Sequence, residues 1–189
     1  MSDFSLRDPA AGVGPLFHQR WSPRSFVKKG LANDVLTRIM DAARWSPSCF
    51  NAQPWRFFTS TDTTFSDYLS LLMEGNQVWA KHAEVIGFMV ASRKFEHDGE
   101  ANPYAEFDCG AAWMALTLQA QAEGLYTHGM GGIFHQRVAD YLSLNADTDK
   151  VVMGFVIGHI GPRDALPEDL AERETPSPRK PLSELWNHD

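Results

Sequence analysis

The run Ala43-Arg44-Trp45-Ser46-Pro47-Ser48-Cys49-Phe50-Asn51-Ala52-Gln53-Pro54-Trp55-Arg56-Phe57-Phe58 carries a helix into a strand. Upstream of it, Leu31, Val35, Leu36, Ile39, Met40 and Ala43 recur at three- and four-residue steps. That spacing predicts an amphipathic helix from about Asn33 to Arg44, capped by Asn33 or Asp34. Pro47 turns the backbone away from helix at Ser46, and Pro54 does so at Gln53. Around the prolines lie short polar side chains, Ser46 before Pro47 and Ser48, Asn51 and Gln53 between Pro47 and Pro54. Serine and asparagine both donate and accept, so such a loop can bond the polar edge of a flat heterocycle. It would otherwise be an ordinary helix-to-strand connection. Trp55 to Thr59 then reads as a buried, aromatic-rich strand.

Three other stretches carry chemistry. Near the N-terminus, Arg20-Trp21-Ser22-Pro23-Arg24 sets two arginines four apart around a hydroxyl. Arginine is always charged, and its planar fork of donors matches phosphate. An isolated pair of this kind could equally face solvent or salt-bridge partners. Further on, Gly129-Met130-Gly131-Gly132 follows a short strand at Leu125 to His128. It is not the Gly-x-Gly-x-x-Gly of a dinucleotide-binding βαβ unit, which argues against a permanent nicotinamide site of that type. Glycines here let backbone N–H groups approach a ligand closely. After Gly161-Pro162 the chain turns proline-rich and charged, and 162–189 reads as an extended tail. It ends in Arg179-Lys180-Pro181-Leu182-Ser183-Glu184-Leu185-Trp186, too apolar for a free end.

Residues 46–55 resemble the Ala-Pro-Ser-x-x-Asn-x-Gln-Pro-Trp signature of the nitroreductase family of FMN-dependent oxidoreductases. The Arg20 segment is similar to that family's opening Arg-Arg-Ser-x-Arg-x-Phe, and residues 179–185 resemble its terminal Arg-x-Pro-Leu-x-Glu-Leu. The glycine loop at 129–132 resembles the family's flavin-facing turn, and the four matches fall in the family's order across nearly the whole chain. The resemblance implies a single α+β domain over 1–189, with a mixed central sheet flanked by helices, paired into an intertwined homodimer. It assigns Arg20, Trp21, Ser22, Arg24 and Arg179 to FMN, and Gly131 and Gly132 to the flavin ring near N5. Trp21 stands where the family has Arg or His, so there only a main-chain contact carries over. Pro47, Ser48, Cys49 and Asn51 of the signature loop complete the cofactor set, with Pro47, Ser48 and Asn51 reaching in from the second chain. Cys49 lacks a thiol partner or a base and is expected to be a redox spectator.

The implied chemistry belongs to the flavin. NADH or NADPH would deliver a hydride and leave, and a small acceptor such as a nitroaromatic, quinone or enone would take the electrons in a ping-pong cycle. No catalytic side chain is assigned. Two other outcomes stay open: an FMN enzyme of the same fold that does not use nicotinamide, and a flavin-binding protein without turnover.

The rest of the chain bounds these expectations. It has 189 residues and a net charge of −7, with no basic run. That balance argues against nucleic acid as a partner, since phosphate contacts dominate such binding. No apolar run is long enough to span a bilayer. Met1 to Asp8 lacks the basic start and apolar core of a signal peptide, so a cytoplasmic location is expected. Cys49 and Cys109 suit reduced thiols there. His18, His82, His97, His128, His135, His159 and His188 show no metal-ligand spacing, and no metal is expected. His128, beside the glycine loop, is the one histidine to watch, with a packed or surface side chain the commoner case.

Further elements follow from periodicity. They are a helix over Thr64 to Met73 that breaks at Gly75 to Trp79, a strand from Val85 to Ala91, and a long helix from Glu106 or Asp108 to about Glu123. A short helix at Gln136 to Leu142 and a strand at Val151 to Ile160 complete them. The long helix has small residues nearly all round, so it should pack closely on two sides. Phe95 to Pro103 is polar and charged and reads as a loop, either a solvated connection or, as the resemblance implies, a border of the substrate site.

Overall fold

The computed structural model describes residues 2–187; Met1, His188 and Asp189 lie outside it. Helix α1 (Pro15–Gln19) follows an N-terminal arm and leads into the short strand β1 (Phe26–Val27). Helix α2 (Asn33–Arg44) and strand β2 (Trp55–Thr59) keep the bounds read from the sequence. Then come α3 (Phe65–Ser70), α4 (Glu74–Ala80), β3 (Val85–Ser92), α5 (Ala105–Ala122), β4 (Tyr126–Met130), α6 (His135–Tyr141), β5 (Asp149–Ile160) and the single turn α7 (Glu168–Ala171).

Strand β3 lies at the centre. Side chains alternate across a strand, and those of β3 feed two separate cores. Val85, Met89 and Ala91 face α2 and α5, where they join Ile39, Ala43, Ala112 and Leu116. Ile86, Phe88 and Val90 face the other way, onto Tyr68, Trp79 and Val138 of the smaller helices and Leu72 between α3 and α4. The result is a sheet between two helical layers. Gly87 is required on the first side. A Cβ there would stand 2.2 Å from the tip of the Phe155 ring, so only glycine admits that aromatic into the core.

Two sequence expectations are corrected. The sheet is not mixed: β2 pairs β3, β3 pairs β5, and β4 and β1 pair β5, all antiparallel. A mixed sheet needs at least one parallel neighbour, and the described residues contain none. The segment after α3 does not stay broken either. Residues 74–80 form α4 because distant groups bond its first turn. Asn76 Nδ2 and the Met73 N–H both donate to the Gly132 carbonyl, at 2.9 and 3.0 Å. Trp79, only 1% exposed, anchors its far end in the core.

Helix α5 buries Cys109, Ala112, Leu116, Thr117 and Ala120 against the sheet. Its opposite side carries Phe107, 79% exposed, and Met114. No helix among the described residues is long and apolar enough to cross a membrane.

Candidate functional site

Four segments of the chain converge on one cavity of about 390 Å³. The loop after α1 contributes Arg20, Trp21, Ser22 and Arg24; β4 contributes His128; the tail contributes Arg173, Thr175, Ser177 and Arg179. Arg7 of the N-terminal arm completes the lining. Five guanidiniums thus meet in a chain of net charge −7, and no carboxylate lines the space with them.

The charge of Arg20, Arg24 and Arg179 is poorly compensated, whereas Arg173 has Asp169 as an ion-pair partner at 4.0 Å. Burial holds the Arg20 guanidinium below its ordinary pKa, and the neighbouring Arg179 adds to this. Arg7 is lowered for the same reasons, burial first and then Arg179 and Arg20. Such mutual repulsion is costly unless an anion enters. The hydrogen bonds leave room for one. Arg179 reaches only oxygens of its own tail, on Ser177 and Pro178. Arg20 Nη1 makes a long 3.4 Å contact to Ser22 Oγ. The Arg24 side chain bonds no group among the described residues. A cavity of convergent, underused guanidiniums fits a phosphate monoester.

The scaffold of this cavity could not be read from sequence. Arg7 Nη1 donates to the carbonyls of His18 at 2.6 Å and Arg20 at 2.8 Å, while its Nε donates to the Ser177 carbonyl at 3.0 Å. Arg7 thereby ties arm, loop and tail together. Glu174, 8% exposed, accepts from the backbone N–H groups of Arg24 and Ser25, both at 2.7 Å. Its other oxygen, Oε2, is buried without a partner. Trp21 is 5% exposed and packs edge-on against Tyr126, with Nε1 also unpartnered. Its ring is buried with the core.

The signature loop is a second, separate group. Phe50, Asn51 and Gln53 hold φ of 52°, 54° and 48°, a left-handed backbone that side chains other than glycine seldom adopt. One distant bond and one local bond hold it there. The Cys49 N–H donates to Asp108 Oδ2 of α5 at 3.0 Å, and the Gln53 N–H to Ser48 Oγ at 2.9 Å. Strain of this kind gathers at ligand sites. Asn51 and Pro47 are exposed, Ser48 and Cys49 half-buried. Phe50, 80% exposed, packs edge-on against Phe95 and His97, with centroids 5.8 and 6.0 Å away. The loop after β3 thus lies beside the signature loop.

Gly131 and Gly132 form the third group, at the end of β4. Gly131 is exposed and has open space where a Cβ would stand. At Gly132 a Cβ would fall 2.7 Å from Asn76 Nδ2, so the chain needs glycine to accept that bond. Neither amide N–H is engaged by another described residue. Within one chain the three groups do not share a cavity: neither Pro47 to Asn51 nor the two glycines line the arginine space. Among the described residues no cluster of three or more histidine, cysteine or acidic side chains could hold a metal.

Fold and site together define an α+β protein with an anion cavity of phosphate type, a strained polar loop and a bare glycine turn. Known proteins place it further. The sequence model of the Nitroreductase family matches residues 18–85 and 61–159. The chain belongs to the nitroreductase family. A solved structure described as an oxidoreductase containing FMN is 41% identical, with a TM-score of 0.92 over 99% of this chain and 96% of its own. A Mycolicibacterium smegmatis protein, known as an uncharacterized 15.4 kDa protein in the ask 5' region, is 32% identical over 124 residues, 66% of this chain and 80% of its own length. A variant of the FMN- and NADPH-dependent nitroreductase NfnB from Sphigopyxis sp. strain HMH shares the fold at 19% identity, with a TM-score of 0.74 over 92% of this chain and 96% of its own.

Proposed function

We propose that the protein is an FMN-dependent oxidoreductase. It passes electrons from NADH or NADPH to a small acceptor such as a nitroaromatic, quinone or enone. The arginine cavity carries this reading, because it offers a phosphate monoester the charge that the chain leaves uncompensated. An FMN-containing relative of 41% identity supports the choice of flavin. Bound FMN would supply the redox chemistry, taking electrons from the nicotinamide and giving them to the acceptor.

The chain's own residues bind and orient. Arg20, Arg24 and Arg179 hold the phosphate, with the Ser22 hydroxyl beside them. The free N–H groups at Gly131 and Gly132 face the ring, where a backbone donor stabilises negative charge without a proton transfer. Pro47, Ser48 and Asn51 come from a second copy of the chain. The separation of the signature loop from the arginine cavity supports such a homodimer, as do exposed Phe107, Met114, Leu182 and Leu185. Phe50, with Phe95 and His97, borders the acceptor. A cytoplasmic location fits a reduced Cys109: burial first, then Asp108 and Glu106, push it up to about 12, which leaves it protonated and inert.

The test is consumption of NADH or NADPH by the FMN-loaded protein with menadione or a nitrobenzoate. Steady turnover is expected. A loaded protein that consumes neither nucleotide with any acceptor would belong to the branch that does not use nicotinamide, or would be a binding protein.

A further inference from the structure

We infer that His128 accepts a hydrogen bond, through Nε2, from a hydroxyl of the polyol chain that joins flavin ring to phosphate. The inference rests on the FMN reading above. Strand β4 brings His128 into the arginine cavity beside Arg20, Ser22 and Arg24. Its Nδ1 lies 2.9 Å from the Pro23 carbonyl. A carbonyl only accepts, so Nδ1 carries the hydrogen and Nε2 of the neutral ring is left with a lone pair. The ring is also held in orientation, with its centroid 4.7 Å from that of Trp79. No donor among the described residues bonds Nε2.

The ring stays neutral. Burial pushes its pKa down to about 4; Arg24 and Arg20 push the same way, while the Pro23 and Ser22 carbonyls pull against them. At neutral pH, therefore, Nε2 accepts and does not donate.

Complementarity then selects the ligand. The guanidiniums donate and cannot accept. A phosphate dianion answers them, because it accepts and cannot donate. An aromatic nitrogen that only accepts has no use for that phosphate. It suits a group that donates, placed within one cavity's width of the phosphate. The hydroxyls of a polyol phosphate have this character, and inorganic phosphate does not. The lining is thus read as two parts of one ligand: arginines for its anion, His128 for the chain behind it.

The test titrates apo-protein with FMN and with an analogue that keeps the phosphate but carries hydrogen in place of the chain hydroxyls. His128→Leu should weaken FMN by about five- to tenfold, the scale of one neutral hydrogen bond. Its affinity for the analogue should match that of the unaltered protein. His128→Gln, which restores a neutral acceptor, should recover most of the FMN affinity. Equal losses for both ligands would make His128 a structural residue and overturn the inference, as would unchanged FMN affinity. A second measurement needs no variant. The ¹⁵N resonance of His128 Nε2 should move when FMN binds and stay in place with the analogue; the same movement with both would also overturn it. An unaltered protein that binds neither ligand would refute the flavin reading itself, a result distinct from a selective failure at His128.

Discussion

Glu174→Ala should loosen the whole phosphate cavity from a position that touches no ligand. The Glu174 carboxylate receives the backbone N–H groups of Arg24 and Ser25 at 2.7 Å each, and it fastens the tail to the arginine loop across about 150 residues of chain. Each bond to a charged acceptor contributes roughly 1.5–3 kcal/mol. Against that stands the cost of burying Oε2 without a partner, about 1–3 kcal/mol. The net loss on removing the side chain is then on the order of 2 kcal/mol, with both amides left unsatisfied. For a chain of this length that lowers Tm by roughly 4–8 °C. Glu174→Gln keeps one neutral acceptor and should lose about half as much. The assay is thermal unfolding of the cofactor-free protein, followed by circular dichroism. Trypsin would be run alongside, since a released tail should be cut sooner after Arg179. A Glu174→Ala protein that melts within about 1 °C of the unaltered one would refute the reasoning, because the two bonds would then carry no net stability.

Three further outcomes follow from the same geometry. Arg20→Ala should weaken FMN by roughly ten- to a hundredfold, since it removes one charge-assisted contact; an unchanged dissociation constant would return Arg20 to the role of a surface charge. Acid should destabilise the protein through His128: its folded pKa of about 4 lies below its unfolded value of 6.5, so the unfolded chain takes up more protons as pH falls from 6.5 towards 4. The loss, at most on the order of 3 kcal/mol, should vanish from the urea-unfolding profile of His128→Gln. Mixed dimers of an Arg20/Arg179 double variant with a Ser48/Asn51 double variant should regain about half the flavin content, since two-fold symmetry gathers both lesions at one site; dimers as empty as their parents would place the site within one chain.

How much of this could be read from sequence depends on how local each cause is. Helix α2 and strand β2 kept their bounds because their apolar spacing is complete within a dozen residues. The run from Thr64 to Trp79 was misread because α4 depends on the Gly132 carbonyl, more than fifty residues away. Strand direction was misjudged for a related reason. No strand carries its neighbour's polarity in its own residues, and the antiparallel sheet is set by connections through helices. In the site, Arg20, Ser22, Arg24 and Arg179 announced themselves through residue type and motif, and all four line one cavity. Arg7, Glu174 and Asp108 did not. Each acts on backbone groups of a distant segment, and a backbone N–H or carbonyl leaves no mark in a sequence. Trp21 was legible as a departure from the family pattern, but only its burial shows that the ring serves the core.

The central claim is that the arginine cavity holds the phosphate of FMN. The most direct measurement is the visible spectrum of the purified protein, with chromatographic identification of the flavin released on denaturation. About one FMN per chain is expected by the symmetry of two equivalent sites in a homodimer. Apo-protein should bind FMN far more tightly than riboflavin, which has the same ring and chain but no phosphate. A colourless protein whose spectrum does not change on adding FMN, or one that binds riboflavin equally well, would contradict the account.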